Sequence, residues 1–427
     1  MTYTLSLSRA VFFPAALVTF LLFQALILMP QVSLSAPVET VTNTDNMGAG
    51  SLRDAIANVD LGGTVNFNIA GPGPHTIILA SQITIDESMT INGPGADMLT
   101  ISGNNSVGIF NIDDGNAPDI VVSISGLRFI NGFGAAGGAI DNAEELSIDS
   151  CVFENNSAET GGAIFNAGTI VEINNSTFSG NSAIGGGAIF NTGTIVEINT
   201  CTFSGNGAFS GGAIWNHDTI TSITNCTFDG NMAVNGSGGA IFNDGTINIS
   251  FTTIANNEAD NEGGGIFEAG LSVNIRNSIV AFNTDSGIGN NCNGAIAIGV
   301  NEINNYSNDA SCGFGVGDNS NILLGPLADN GGPTETLALI SGAPLNGASA
   351  MCDPLNSSGM PSGVPLLIDQ RFFPRPSPPG GDCDSGAFEK QLISNVPTLS
   401  EWGLIAMAGL LGIVGFMVVR RRAVVSS

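Results

Sequence analysis

The sequence predicts an all-β protein, a parallel β-helix solenoid of about 25 residues per coil with a short N-terminal capping helix and a C-terminal transmembrane helix. The first of three observations is repetition. GGAIFNAGTIVEINNSTFSGN at residues 161–181 returns almost unchanged at 186–206 and 211–231. Its isoleucine recurs as Ile140, Ile164, Ile189, Ile214, Ile241 and Ile266, and a phenylalanine as Phe129, Phe153, Phe178, Phe203 and Phe228. Units of this length bury their apolar face only against their neighbours. Second, VEI, TSI and INI alternate with period two and are rich in β-branched residues, which suits strands. Third, Gly-Gly, Asn-Gly and Ser-Gly pairs fall where a chain must turn, and no repeat holds an apolar stripe of helical period.

The elements follow in chain order. Residues 1–36 carry Arg9, an apolar run from Val11 to Met29 and the small residues of VSLSA, which reads as a secretory signal peptide cut near Ser35 or Ala36. The alternative is an uncleaved N-terminal anchor. In residues 37–63, GSLRDAIANV predicts a short amphipathic helix capped by Ser51, with Leu52, Ala55, Ile56 and Val59 on the face that closes the core. Residues 64–290 form the solenoid, beginning with less regular coils up to 128. Coils stack roughly 4.8 Å apart, so like residues form ladders. The phenylalanines stack inside. Asn156, Asn181, Asn206, Asn231 and Asn256 form one amide ladder, and Asn142, Asn166, Asn191, Asn216 and Asn243 a second.

The pairing of GGAI with FxxN over residues 129–283 resembles the repeats of the chlamydial polymorphic outer-membrane proteins. That family continues into a membrane β-barrel with no counterpart in this sequence. The resemblance therefore implies a right-handed β-helix and a surface role rather than autotransport. The segment around Ser51 likewise resembles the N-terminal cap of bacterial surface β-helix proteins.

Residues 291–395 form a C-terminal module, of which 325–389, GPLADNGGPTETLALISGAPLNGAS through DSGAFE, resemble the choice-of-anchor module of such proteins, and it is expected to cap the far end. Cys292 with Cys312 and Cys352 with Cys383 are the pairings we expect, although spacing alone does not fix them. Cys151, Cys201 and Cys226 share one ladder position and read as small core residues. The tail, residues 396–427, places an apolar run at 403–419 before the basic stop Arg420, Arg421 and Arg422. The preceding Val396, Pro397, Thr398, Leu399, Trp402 and Gly403 resemble the IPTL-CTERM sorting signal, with valine where isoleucine is usual. That resemblance implies transient residence in the inner membrane, cleavage by an exosortase-type membrane enzyme and delivery to the surface of a Gram-negative cell. A permanent single-pass anchor is the alternative.

Charge narrows the partners. Residues 37–400 hold 36 acidic residues against Arg53, Arg128, Arg276, Arg371, Arg375 and Lys390, a net of 6 − 36 = −30. Such a surface repels nucleic acid. The fold is shared with pectate lyases and polygalacturonases, but residues 64–290 offer only Arg128, Arg276, His75 and His217 as bases. No catalytic residues are assigned, and His217 beside Asp218 reads as a solvated turn pair. Glu172 with Glu197, and the loop holding Glu258, Asp260 and Glu262, are either calcium sites or solvated acidic loops. No cofactor and no metal ligands are assigned.

The leading candidate site is an outward aromatic stripe, Phe165, Phe190, Trp215, Phe242 and Phe267, suited to sugar rings or a partner protein. The alternatives are that a loop or the C-terminal module covers it, or that the facing is reversed. The functional expectation is a non-catalytic, adhesin-like surface protein binding a glycan or an envelope partner. A divergent polysaccharide lyase or hydrolase and a structural surface-layer component remain as alternatives.

Overall fold

The computed structural model describes residues 37–391 except 117–118, 271, 287–289, 295, 298–303, 346–351, 357, 359 and 376–381. The signal segment, the sorting motif, the apolar run 403–419 and the basic stop lie outside the described residues. Among the described residues no helix is long and apolar enough to cross a membrane.

Three parallel sheets run the length of a β-solenoid. Sheet A has 11 strands from Val38–Val41 to Ile296–Ala297, sheet B has 9 from His75–Ile78 to Ile279–Ala281, and sheet C has 9 from Ile83–Ile85 to Cys292–Asn293. Each coil visits A, then B, then C. In the later coils a short sheet D, from Gly207–Ala208 to Thr284–Asp285, forms within the bend between B and C. Registers join like to like, Ile164 to Ile189 to Ile214 and Phe153 to Phe178 to Phe203.

The core is a column of phenylalanines. From Phe129 to Phe228 the rings lie 5.0, 4.8, 4.7 and 4.6 Å apart and nearly parallel, and all are fully buried. Ring spacing equal to the coil spacing lets one side chain type satisfy every rung. Two residues before these rings, Cys151, Ser176, Cys201 and Cys226 continue one buried column that begins with Leu127. Burial pushes the Cys151 thiol up to about 12, so it is an inert packing group.

The bends between B and C explain the Gly-Gly pairs. Gly186 has φ +62°, a conformation that disfavours other residues, and a Cβ on Gly187 would lie 2.1 Å from the carbonyl oxygen of Gly212 in the next coil. The two amide ladders fill the bends from inside. Asn142, Asn166, Asn191 and Asn216 each donate through Nδ2 to the Oδ1 of the next asparagine at 2.8 Å, ending on Asn243, which donates to Glu268 Oε2 at 2.6 Å. The second ladder corrects the sequence reading. It passes from Asn231 to Asn257 and Asn283, not to Asn256. This coil is one residue longer, and Asn256 takes the left-handed bend position (φ 58°) and donates outward to Asp229.

The helix Leu52–Asn58, α1, covers the first coil. Ser51 Oγ accepts from the Asp54 N–H while Asp54 accepts from the Gly50 N–H, and Leu52, Ala55 and Ile56 are buried. At the other end only part of the C-terminal module lies over the core, with Cys312 and Phe314 packed against it. The remainder runs along the flank instead of forming a simple end cap. It holds the bend between sheets A and B, where Arg276 Nε donates to the Asp353 carbonyl at 2.7 Å and Leu355 N donates to Ser250 Oγ at 2.8 Å. Phe251 occupies the left-handed bend position, packs with Cys352 and Cys383, and carries the Arg375 guanidinium 4.6 Å above its ring. Disulfides join Cys292 to Cys312 and Cys352 to Cys383.

Candidate binding surface

The aromatic stripe lies on the outer side of sheet C, each ring one residue beyond a fully buried isoleucine. Phe165, Phe190, Trp215, Phe242 and Phe267 are in register, with ring centroids 5.9, 5.4, 4.6 and 5.1 Å apart. Phe165 and Phe190 stack at 15°, whereas the pairs from Phe190 to Phe267 are tilted by 54°, 47° and 33°, so the rings pack on one another without forming one flat face. The loop before the Gly-Gly bend also shields them: a Cβ on Gly185 would lie 2.8 Å from Trp215 and 2.9 Å from Phe190. Phe190 is only 9% exposed and the others are half-buried.

Trp215 stands out within the row. Its indole N–H is buried and has no hydrogen-bond partner among the described residues. His217 stacks on it at 5.3 Å and meets Phe190 edge-on at 5.2 Å. The imidazole pairs through Nδ1 with Asp244 Oδ2 of the next coil at 2.6 Å, not with its sequence neighbour Asp218, whose carboxylate accepts from Thr219. Stacking from coil to coil, rather than adjacency along the chain, decides the partner.

Beside this stripe is a second row that the sequence reading missed. Ile184, Phe209 and Val234 are 62%, 51% and 44% exposed on the bend between sheets B and C. They are consecutive rungs, since the Phe209 N–H donates to the Ile184 carbonyl and sheet D pairs Ala208 with Ala233. The signal was present in NSAIGGG, NGAFSGG and NMAVNGSGG, an apolar residue shortly before each Gly-Gly pair. Glu159 and Asp260 occupy the corresponding positions in the flanking coils, so the row has acidic ends.

The Glu172–Glu197 pair stands apart from this row, whereas the loop with Asp260 borders it. Glu172 and Glu197 are register partners on sheet A. Burial, helped by the charge of Glu172, pushes Glu197 above its ordinary value, and Asn174 donates to Glu172 at 2.8 Å. In the loop with Glu258 and Glu262, Asp260 accepts from the Asn235 N–H. Among the described residues no three His, Cys, Asp or Glu side chains are gathered to hold a metal ion.

Comparison with known proteins gives two matches. The Chlamydia polymorphic membrane protein repeat matches residues 150–167, 175–192 and 225–244. The IPTL-CTERM motif matches residues 396–423. No curated protein and no solved structure matches the chain. The chain thus carries polymorphic membrane protein repeats on a parallel β-solenoid and an IPTL-CTERM motif after it, a combination that points to a secreted, surface-exposed protein of Gram-negative type.

Proposed function

We propose that this chain is a non-catalytic, adhesin-like solenoid that binds an envelope protein through the Ile184, Phe209 and Val234 row, with the aromatic stripe as its rigid backing. One observation carries the reading: three large apolar side chains in register stand exposed on a chain bearing a surface-sorting motif. Contiguous apolar surface on a soluble body marks an interaction site. A protein partner fits better than a sugar, because sugar rings stack on exposed aromatic faces and in this exposed row Phe209 is the one aromatic side chain. The solenoid is read as right-handed, as nearly all parallel crossovers are. In this reading an exosortase-type enzyme acts at Val396–Gly403, and the run 403–419 is a transient inner-membrane stop.

The test replaces Ile184 and Phe209 together by serine, both exposed and therefore removable without opening the core. Retention of envelope proteins by the purified chain is compared with retention on a glycan array, with and without calcium. Loss of one retained envelope protein with unchanged thermal unfolding supports the proposal. Retention unaffected by the double substitution removes the row, and release of reducing or unsaturated sugar ends would replace the binding role with a catalytic one.

A further inference from the structure

We propose a second docking site, on another face: the cleft between sheet B and the loop 329–335 receives an extended, basic polypeptide segment of a partner protein. The outer side of sheet B carries Thr177, Thr202, Thr227 and Thr253 on four consecutive rungs. Three of their hydroxyls already hold peptide or amide groups of the C-terminal module. Thr202 Oγ1 donates to the Glu335 carbonyl at 2.5 Å and accepts from Gln370 Nε2 at 3.0 Å. Thr227 Oγ1 donates to Gln370 Oε1 at 2.7 Å, and Thr253 Oγ1 accepts from the Ala387 N–H at 3.1 Å. Thr177 is the remaining rung. Its side chain makes no hydrogen bond among the described residues, and it lines a cleft of about 470 Å³.

A hydroxyl can donate to a carbonyl and accept from an N–H, so this column is complementary to a crossing main chain. The cleft continues, by one rung, the seam at which the chain already binds the peptide and amide groups of its own C-terminal loops. Charge selects the occupant. Glu154, Asp329 and Glu335 line the cleft with a single cation, Arg128, and Arg128 is ion-paired with Glu154. Asp329, whose Oδ1 accepts from the Gly331 N–H, and Glu335 are exposed at the cleft and in no ion pair among the described residues, so they favour a segment carrying arginine or lysine.

The test uses the full-length protein in detergent micelles and a fluorescein-labelled peptide, Gly-Arg-Gln-Thr-Arg-Gly, read by fluorescence anisotropy. A counterpart with aspartate at both arginine positions is the control. The arginine peptide is expected to bind and the aspartate peptide not. Thr177→Val, which keeps the side-chain shape, should weaken binding about five-fold, the size of one lost hydrogen bond, while Thr177→Ser retains it. Asp329→Asn with Glu335→Gln, both on the exposed loop, should weaken binding and flatten its salt dependence. Ile184→Ser with Phe209→Ser should leave this binding intact, which separates it from the site proposed above. Equal binding of both peptides, or no change in Thr177→Val, overturns the proposal. So does binding of an N-acetylglucosamine oligomer that needs Thr177 while neither peptide binds.

Discussion

Glu172 and Glu197 show what a ladder demands of a charged residue. Where the coil repeats, the charge repeats as well, and carboxylates one rung apart repel by about 1 kcal/mol even in water. The fold holds Glu197 above its ordinary value of 4.5, first through burial and then through the charge of Glu172. A carboxyl raised in this way prefers its proton in the folded state. Its contribution to stability is therefore complete below the unfolded value and is lost as pH rises through the folded one. Glu197→Gln removes that penalty. It should stabilise the protein at pH 7 by a few tenths to about 1 kcal/mol. Denaturant unfolding should show the gain shrinking toward zero as pH falls below about 4.5. A gain that persists in acid would assign the effect to packing. The amide ladders avoid the problem by being neutral along their length. In both ladders each amide donates to the next coil toward the C-terminal end, while in the second it also donates back to a main-chain carbonyl of an earlier coil. The first ladder terminates on the carboxylate of Glu268, the group best able to receive a row of aligned donors.

A single bend shows how narrow the tolerance is at the scale of one coil. In GGAI the first glycine supplies the left-handed turn and the second lets the carbonyl of the next coil approach. Gly187→Ala puts a methyl group 2.1 Å from the Gly212 oxygen, so the coils must separate and the bonds of the bend must stretch. It should cost about 3 kcal/mol or more, measured as a fall in the denaturation midpoint, whereas alanine at Gly205 meets nothing within 4 Å and loses only its turn preference. These local demands are why the repeat, the inward phenylalanines, the cap at Ser51 and the first amide ladder were legible in the sequence. Each is one residue type imposed by one rung geometry. What was not legible depends on what lies beside the repeat. Asn257 displaced Asn256 because one coil is a residue longer. His217 found Asp244 instead of Asp218 because stacking sets its neighbour. The stripe from Phe165 to Phe267 could be placed on the outer side of its strands by alternation, but alternation says nothing about Gly185 folding over it. The path of the C-terminal module along the flank follows from single residues such as Phe251 and Gln370, which no period marks.

Among the described residues the lysines and arginines are few and all are engaged. Arg53 donates to the carbonyls of Ser81 and Gln82, Arg128 pairs with Glu154, and Arg276 donates to the Asp353 carbonyl. Arg371 binds Asp369, Arg375 binds Glu389, and Lys390 donates to the Ile340 carbonyl. The described body therefore presents an almost purely acidic exterior, which disfavours contact with phosphate-rich polymers. The same arrangement controls proteolysis. Trypsin needs an arginine or lysine on a segment that can open, and Arg276, Arg371 and Arg375 are buried in the seam between solenoid and module. A short tryptic digest should trim the chain at Lys390 and beyond, leaving one large fragment by intact mass. Reducing Cys352–Cys383, which closes a separation of 31 residues beside Phe251, should loosen the seam by about 2–4 kcal/mol. Cleavage at Arg371 should then appear before any cut at Arg128, which sits in the sheet, while Arg375 stays intact because Pro376 follows it. If reduction leaves the fragment pattern unchanged, the seam is held by its buried ion pairs and hydroxyl contacts alone. If the first cut falls at Arg128, the solenoid itself is the weaker part.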